Sequence, residues 1–292
     1  MKRSSPLISA EELLELVRAD DPDLRIVDCR WVLGEPGAGA GAFAEGHLPG
    51  AAHLDLDQDL SDSKGYGAPG RHPLPAPAAF AARLARAGID DASLVVAYDD
   101  VGGWVAARLW WMLDVLGHPA VAVLDGGVAA WSAAGGELTT DLQERAPGEL
   151  HLAADWSRVI DRDELRGRLG SVALLDARAP ERYRGETEPI DPVAGHIPTA
   201  VNAPVDDSLV GPGGTFRPAA QLAQRFHELG ADEPDVPVVT SCGSGVSALH
   251  HALAMRAAGL PDPILYVGSY SDWSRSGQPV TTGAEPGQPP SP

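Results

Sequence analysis

The residues whose order suggests chemistry are gathered around Cys242. A β-branched run at 238–241 stops at this cysteine, and Gly243 and Gly245 follow before a helical pattern begins near Leu249. A strand, a glycine-rich loop and a helix in that order place the thiol beneath backbone N–H groups and at a helix N-terminus. Positive potential there lowers the pKa of a thiol and favours the nucleophilic thiolate. We therefore predict that Cys242 is a reactive cysteine rather than a small core residue.

Composition limits the partners that such a thiol could serve. The chain has 292 residues, two cysteines and a net charge of −19. Two cysteines cannot build a disulfide framework or a cysteine-based metal site, so we expect reduced thiols, a cytoplasmic protein and neither metal nor cofactor. The acidic charge argues against a nucleic-acid or membrane partner because the field repels phosphate. An anionic substrate would need a local basic pocket.

The chain contains a repeat of roughly 145 residues, which indicates a duplicated domain. Asp176-Ala177-Arg178 matches Asp28-Cys29-Arg30, and Gly195-His196-Ile197-Pro198 matches Gly46-His47-Leu48-Pro49. Strands and helices alternate in each half, which predicts an α/β fold with a parallel sheet flanked by helices on both faces. The expected organisation is an N-terminal domain at 8–138, a linker at 139–156, a catalytic domain at 157–280 and a disordered tail at 281–292.

The two copies differ at the cysteine. The position that matches Cys242 is Asp99 in the first copy, and a carboxylate cannot carry sulfur. Residues 100–103 are not expected to form an equivalent glycine cradle. We therefore predict that only the second copy is catalytic. Cys29 is interpreted as structural, because its neighbours supply no activating loop.

Taken in order, these motifs resemble those of the two-domain rhodanese-type sulfurtransferases. The resemblance runs from about residue 8 to 279 and includes Leu124-Asp125-Gly126-Gly127 and the stretch from Cys242 to Ala248. It implies two tandem rhodanese-like domains and a persulfide on Cys242. Sulfur would pass from a small donor to a thiophilic acceptor such as thioredoxin, a small thiol or cyanide.

The neutral residues after the cysteine resemble those of 3-mercaptopyruvate sulfurtransferases, whereas thiosulfate-preferring relatives usually carry basic residues there. That resemblance implies a proton relay of Ser244, His72 and Asp57. It also implies that Arg182 binds the anionic group of the donor, and that the donor contacts the loop residues Gly243, Gly245, Val246 and Ser247. A guanidinium group suits this role because its fork of donors matches a carboxylate.

One position departs from the pattern. Mercaptopyruvate enzymes often have a second arginine nine residues after the first, and Asp191 stands there in this chain. Arg71, Arg178 and Arg217 are candidates to compensate, and the sequence does not choose between them. Thiosulfate:cyanide sulfurtransferase therefore stays as the alternative activity.

Two further readings use the same elements. A rhodanese-like cysteine phosphatase needs an arginine six residues after the cysteine, where this chain has Ala248. A non-catalytic binding module fits Asp99 in the first copy, but the intact Cys242 loop argues against it for the whole chain.

Overall fold

The computed structural model describes residues 5–62, 70–211 and 214–290. The chain forms two compact units. The first contains Met1–Asp62, Pro75–Ser157 and Leu209–Phe216, and the second contains Ser63–Leu74, Arg158–Ser208 and Arg217–Pro292. Each half of the chain thus contributes a short segment to the other unit, unlike the simple boundaries expected from the sequence. This exchange carries Arg71 and His72 into the second unit.

The first unit is built on a five-stranded parallel sheet. Its strands are β1 (Leu7–Ile8), β2 (Leu24–Asp28), β3 (Ala51–His53), β4 (Leu94–Tyr98) and β5 (Val121–Leu124). They lie in the order β1-β5-β4-β2-β3, and every pairing is parallel. The helices are α1 (Ala10–Arg18), α2 (Ala38–Glu45), α3 (Pro77–Arg86), α4 (Ala106–Val115) and α5 (Gly127–Ala133).

The second unit repeats this topology strand for strand. Its strands are β6 (Val159–Ile160), β7 (Ala173–Asp176), β8 (Val201–Asn202), β9 (Val238–Ser241) and β10 (Ile264–Tyr266). Their order is β6-β10-β9-β7-β8, again all parallel. The helices are α6 (Arg162–Arg168), α7 (Pro180–Tyr183), α8 (Ala219–Glu228), α9 (Ala248–Ala257) and α10 (Ser269–Trp273). The predicted α/β fold, duplicated and parallel, is confirmed.

The burial of the central strands and of α9 explains why the loops between them are held in place. The strands β4 and β9 lie inside their sheets, and α9 is buried at every position from Ala248 to Met255. Because these positions turn no face of the helix to water, α9 is held on all sides by the surrounding protein. The loop between β9 and α9 is therefore fixed at both ends. None of the helices in the described part of the chain has the length and apolar character needed to span a membrane.

The connecting segment and the C-terminal segment each form hydrogen bonds with one of the two units. The expected linker at 139–156 contains no helix or strand, and its Trp156 Nε1 donates to the carbonyl of Pro75 in the first unit at 2.8 Å. Residues 281–290, expected to be disordered, instead lie along the second unit. Thr281 pairs with His196, and the Thr199 amide donates to Pro286 O at 2.6 Å. The Gly/Pro-rich composition suggested disorder, but the backbone here finds hydrogen-bond partners.

Candidate active site

Cys242 lies at the carboxyl end of β9, the end at which parallel sheets place their ligands. The residue is 1% exposed. The Gly245 amide donates to its Sγ at 3.1 Å and the Ser244 amide at 3.4 Å. Such donors favour negative charge on sulfur, so this loop is suited to hold a thiolate or a persulfide.

The conformation of the loop depends on Gly245. Its φ is +76°, and a Cβ at this position would lie 2.5 Å from the carbonyl oxygen of Val267. Both facts require glycine. The neighbouring Val246 is buried, and Ser247 occupies the N-cap of α9 without a side-chain capping hydrogen bond. The part of Gly243, Val246 and Ser247 in donor binding stays a prediction.

The first turn of α10 supports the cysteine loop, and sequence reasoning assigned this segment no role. Ser269 Oγ accepts from the Cys242 amide at 3.1 Å, and the amides of Tyr270 and Ser271 donate to the carbonyls of Cys242 and Gly243 at 2.9 Å each. Ser269 itself has a φ of +50°. The repeat in the sequence could have drawn attention to this segment, since 266–273 matches 124–131. A sequence match does not show, however, which segments are in contact.

The structure brings Ser244 and His72 together. Ser244 Oγ lies 2.7 Å from His72 Nδ1, and the two residues are 8% and 6% exposed. The two residues are far apart in the sequence but lie in the same unit, because residues 70–74 belong to the second unit. The pair can move a proton between an imidazole and a hydroxyl next to the sulfur.

The third predicted relay residue, Asp57, belongs to the first unit. Its Oδ2 accepts a hydrogen bond from Trp31 Nε1 at 2.8 Å, and its amide donates to Asp55 Oδ1 at 2.9 Å. These contacts fix the carboxylate within a short turn. Its part in a relay stays a prediction.

Arg182 lies on α7, and its guanidinium group is held by two acidic residues. Nη2 donates to Glu188 Oε1 at 2.7 Å and approaches Asp191 Oδ2 at 3.5 Å. Burial opposes ionisation of Glu188, but the hydrogen bond from Arg182 and the backbone amides of Asp191 and Ile190 lower its pKa overall. Glu188 is therefore ionised, and it orients Arg182.

The structure shows the surroundings of Asp191, which stands where mercaptopyruvate enzymes often have a second arginine. Its carboxylate is fully buried and lies against three guanidinium groups. Arg71 Nη1 is 2.5 Å from Oδ1, Arg275 Nη1 is 3.0 Å from Oδ1, and Arg182 approaches Oδ2. Asp191 thus gathers positive charge near the cysteine loop, although it is itself acidic.

The matching loop of the first unit is filled by Asp99. Its carboxylate accepts four backbone hydrogen bonds of 2.8–3.0 Å, from the amides of Val101, Gly103, Val105 and Ala106. Burial raises the pKa of Asp99, and the four amides partly offset that effect. The amides after Asp99 do converge, on a carboxylate instead of a sulfur, but they come from other positions than the two amides that follow Cys242, so the prediction that residues 100–103 do not reproduce the catalytic cradle stands.

Cys29 differs from Cys242 in its surroundings. It is fully buried, and burial together with Asp28, Asp99 and Asp59 raises the pKa of its thiol well above the usual range. A thiol of this kind is a poor nucleophile. Within the described residues, no three His, Cys, Asp or Glu side chains converge so that they could hold a metal ion.

Comparison with known proteins agrees with this geometry. The family model described as the rhodanese-like domain matches residues 9–134 and 161–276. The chain therefore belongs to the rhodanese-like family and carries two such domains. It is a sulfurtransferase, as the motifs in the sequence predict.

Three similar proteins illustrate the range of the family. A probable 3-mercaptopyruvate sulfurtransferase of Pseudomonas aeruginosa is 47% identical over 284 residues, covering 96% of this chain and 99% of the relative. A putative thiosulfate sulfurtransferase of Mycobacterium tuberculosis is 42% identical over 275 residues, covering 93% and 95%. The solved structure of a 3-mercaptopyruvate sulfurtransferase from Leishmania major is 29% identical, with a TM-score of 0.81 over 93% of this chain and 74% of that one.

Proposed function

We propose that the enzyme takes sulfur from 3-mercaptopyruvate, holds it as a persulfide on Cys242 and passes it to a thiol acceptor. The observation that carries the proposal is the Cys242 loop: two amides donate to Sγ, and the Ser244–His72 pair stands beside it. Both parts of this site lie in the second unit. The free thiols of Cys29 and Cys242 fit a reducing compartment, and we infer a cytoplasmic location.

In the first half-reaction, the Cys242 thiolate attacks the sulfur of the donor. A new S–S bond forms, the C–S bond breaks, and its electron pair stays on carbon as the enolate of pyruvate. The enolate needs one proton, and in this proposal the Ser244–His72 pair delivers it, supported by the hydrogen-bond contact between the two side chains. The products are pyruvate and the Cys242 persulfide, which the loop amides stabilise.

In the second half-reaction, the thiolate of an acceptor attacks the outer sulfur of the persulfide. The S–S bond breaks and Cys242 leaves as a thiolate, a good leaving group when amides stabilise its charge. Thioredoxin, a small thiol or cyanide would each serve as a thiophilic acceptor. Release of the same thiolate that began the cycle makes the reaction catalytic.

Thiosulfate is the second candidate donor, and the arginine cluster favours it. Arg71, Arg182 and Arg275 supply positive charge near the loop, even though Gly243 and Ser244 are neutral. The thiolate would attack the outer sulfur of thiosulfate and release sulfite. No proton is required in that step, so Ser244 and His72 would have no task.

The deciding experiment measures both donors with the same protein. Incubation with 3-mercaptopyruvate should add one sulfur atom to the peptide that contains Cys242, as seen by mass spectrometry, with release of pyruvate. The kcat/KM for 3-mercaptopyruvate should exceed that for thiosulfate. A higher value with thiosulfate would reassign the donor, and absence of sulfur on Cys242 with either donor would overturn the mechanism.

A further inference from the structure

The first unit contains a cavity that the proposed sulfur transfer does not use. Its volume is about 210 Å³, and it is lined by residues of β2, the turn before β3, the end of α3 and the segment around position 145. Three of the lining residues are arginines, namely Arg25, Arg86 and Arg145, and none is acidic. The whole chain has a net charge of −19, so this positive charge is a local feature. A cleft lined by charges of one sign attracts ligands of the opposite sign.

Gly88 holds two of the arginines at the cavity. Arg25 Nε donates to the carbonyl of Gly88 at 2.6 Å. A Cβ placed on Gly88 would lie 2.7 Å from the Cβ of Arg145, so the stem of Arg145 packs directly on this glycine. Arg145 Nη2 also donates to Gln143 Oε1 at 3.0 Å. The two guanidinium groups are therefore brought to one cavity by backbone and stem contacts, and not by an acidic side chain between them.

The positive charge of the cavity is only partly balanced by the protein. Arg25 Nη2 lies 3.9 Å from Asp90 Oδ2, whereas Arg86 and Arg145 form no ion pair with a carboxylate of the described residues. Burial and the charge of Arg25 lower the pKa of Arg145, and Asp20 offsets part of this effect. An anion bound beside these arginines would relieve the repulsion between them.

The repeat shows that the fold does not need these arginines. The correspondence of Asp28 with Asp176, and of the ends of α3 and α8, places Ala173 and Glu228 at the positions of Arg25 and Arg86. The segment with Arg145 corresponds to the end of the chain, since Thr139 pairs with His47 as Thr281 pairs with His196. Residues 282–292 contain no arginine or lysine. The basic cavity is therefore a property of the first copy and not of the shared architecture.

The rest of the lining indicates which kind of anion fits. Apart from the arginines, it is mostly apolar and includes Ile26, Val27 and Ile89. The cavity has the volume of roughly seven water molecules, which suits a short aliphatic acid. The fork of donors on a guanidinium group matches a carboxylate, and the apolar side chains would cover a hydrocarbon body. Inorganic phosphate or sulfate would leave that apolar surface without a partner.

We propose that this cavity is a second ligand site, which binds a small aliphatic carboxylate through Arg86 and Arg145, with Arg25 adding positive charge. All its lining residues belong to the first unit, whereas Cys242 and its loop belong to the second. The site is therefore distinct from the one that handles sulfur. The proposal does not depend on which sulfur donor the enzyme prefers.

The test follows the backbone amide signals of the full chain by NMR during titration with butyrate. Saturable shifts are expected at Gly50 and Gly88, which lie at the cavity, and they report this site separately from the amides of Gly243 and Gly245 in the catalytic loop. Butyramide has nearly the same shape without the charge, so it should bind about tenfold more weakly or less. Inorganic phosphate should also bind more weakly than butyrate, because it lacks the apolar body.

Three variants assign the effect to individual side chains. Arg145→Ala and Arg86→Ala should each raise the Kd for butyrate by about tenfold, the lower range for losing a hydrogen bond to a charged group. Arg145→Lys keeps the charge and should keep part of the affinity. Arg18→Ala is the control, because it removes one exposed positive charge at the end of α1, outside the cavity, and should change the Kd by less than about twofold.

Several results would overturn the proposal. Equal binding of butyramide would show an apolar cavity without anion recognition, and tighter binding of phosphate would exclude the carboxylate class. Shifts confined to the catalytic loop, or no saturable shift at Gly50 and Gly88, would remove the site. An equal loss of affinity in Arg18→Ala and Arg145→Ala would show a long-range effect of charge. None of these results bears on the persulfide at Cys242.

Discussion

At the scale of single residues, the two cysteines differ in the groups that surround their sulfur atoms. Two amides donate to the Cys242 sulfur, whereas burial and three acidic residues raise the pKa of the Cys29 thiol. Thiolate is the reactive form, so the environment and not the residue type selects the nucleophile.

Cys242→Ser should abolish persulfide formation, because a serine hydroxyl is similar in size but cannot carry sulfane sulfur. Cys29→Ser is the matched control and should keep most of the activity. Both variants are assayed by mass spectrometry after incubation with donor and by the rate of pyruvate release. Residual transfer above a few per cent in Cys242→Ser would place the chemistry on another group.

Ser244→Ala should slow the reaction with 3-mercaptopyruvate more than the reaction with thiosulfate. Its hydroxyl contacts His72, and loss of a positioned proton donor should lower kcat for 3-mercaptopyruvate by about a hundredfold or more. Persulfide formation from thiosulfate should change little, since sulfite leaves without a proton. Single-turnover rates with each donor give the answer. Parallel losses with both donors would argue that Ser244 supports the loop instead of moving a proton.

At the scale of elements, the loop after β9 depends on one glycine more than on its neighbours. Gly245→Ala should destabilise the second unit by about 2–4 kcal/mol and lower activity. The alanine would have to adopt a positive φ, and its Cβ would also collide with the carbonyl oxygen of Val267. Gly259→Ala is the control. Gly259 has a φ of +75° and open space around it, so only the backbone cost of about 1–2 kcal/mol applies. Urea unfolding measures both, and equal losses would contradict the steric argument.

The sequence was sufficient for the central strands of the two sheets because each of them carries its own apolar signal. The β-branched run before Cys242 and the matching run before Asp99 become β9 and β4, and the duplicated motifs become two sheets of equal strand order. Segment 70–74 was assigned to the wrong unit, because strand and helix patterns do not show where a short connection packs. The support from Ser269 was missed for the same reason.

The Asp99 loop shows a second limit of sequence patterns. Residues 100–103 lack the glycine spacing of the catalytic loop, yet backbone amides converge on the Asp99 carboxylate as others do on the Cys242 sulfur. Backbone direction after the strand is set by the fold more than by the identity of each residue. The duplicated architecture therefore retains an anion cradle in both copies, and in the first copy a side chain of the chain itself occupies it.

At the scale of the whole molecule, buried histidines in both units make the free energy of unfolding depend on pH in the acid range. In the first unit, burial lowers the pKa of His118, whose Nε2 lies 2.8 Å from Ser93 O. In the second unit, burial and the nearby Arg225 lower the pKa of His251 to about 3. His251 lies 2.7 Å from Ala203 O through Nε2 and 2.8 Å from Thr240 Oγ1 through Nδ1. Both rings are neutral in the folded protein at neutral pH.

These pKa shifts set the sign of the last prediction. A histidine whose pKa is lower in the folded state stabilises the protein fully above its unfolded pKa, near 6.5, and this stability is lost as the pH falls toward the folded pKa. The unfolded chain binds more protons in that window. The free energy of unfolding should therefore fall between pH 6.5 and pH 4, with each such histidine contributing at most about 1.4 kcal/mol per pH unit.

His251→Gln should make this acid slope shallower, because the variant no longer gains a proton on unfolding. The slope is measured by urea unfolding at several pH values, so a lower absolute stability of the variant does not affect the comparison. His151→Gln is the control: His151 is exposed, and its contact with Asp91 raises its pKa, which gives a contribution of the opposite sign. An unchanged acid slope in His251→Gln would show that His251 is already protonated in the folded protein, and that the burial of its ring does not keep it neutral.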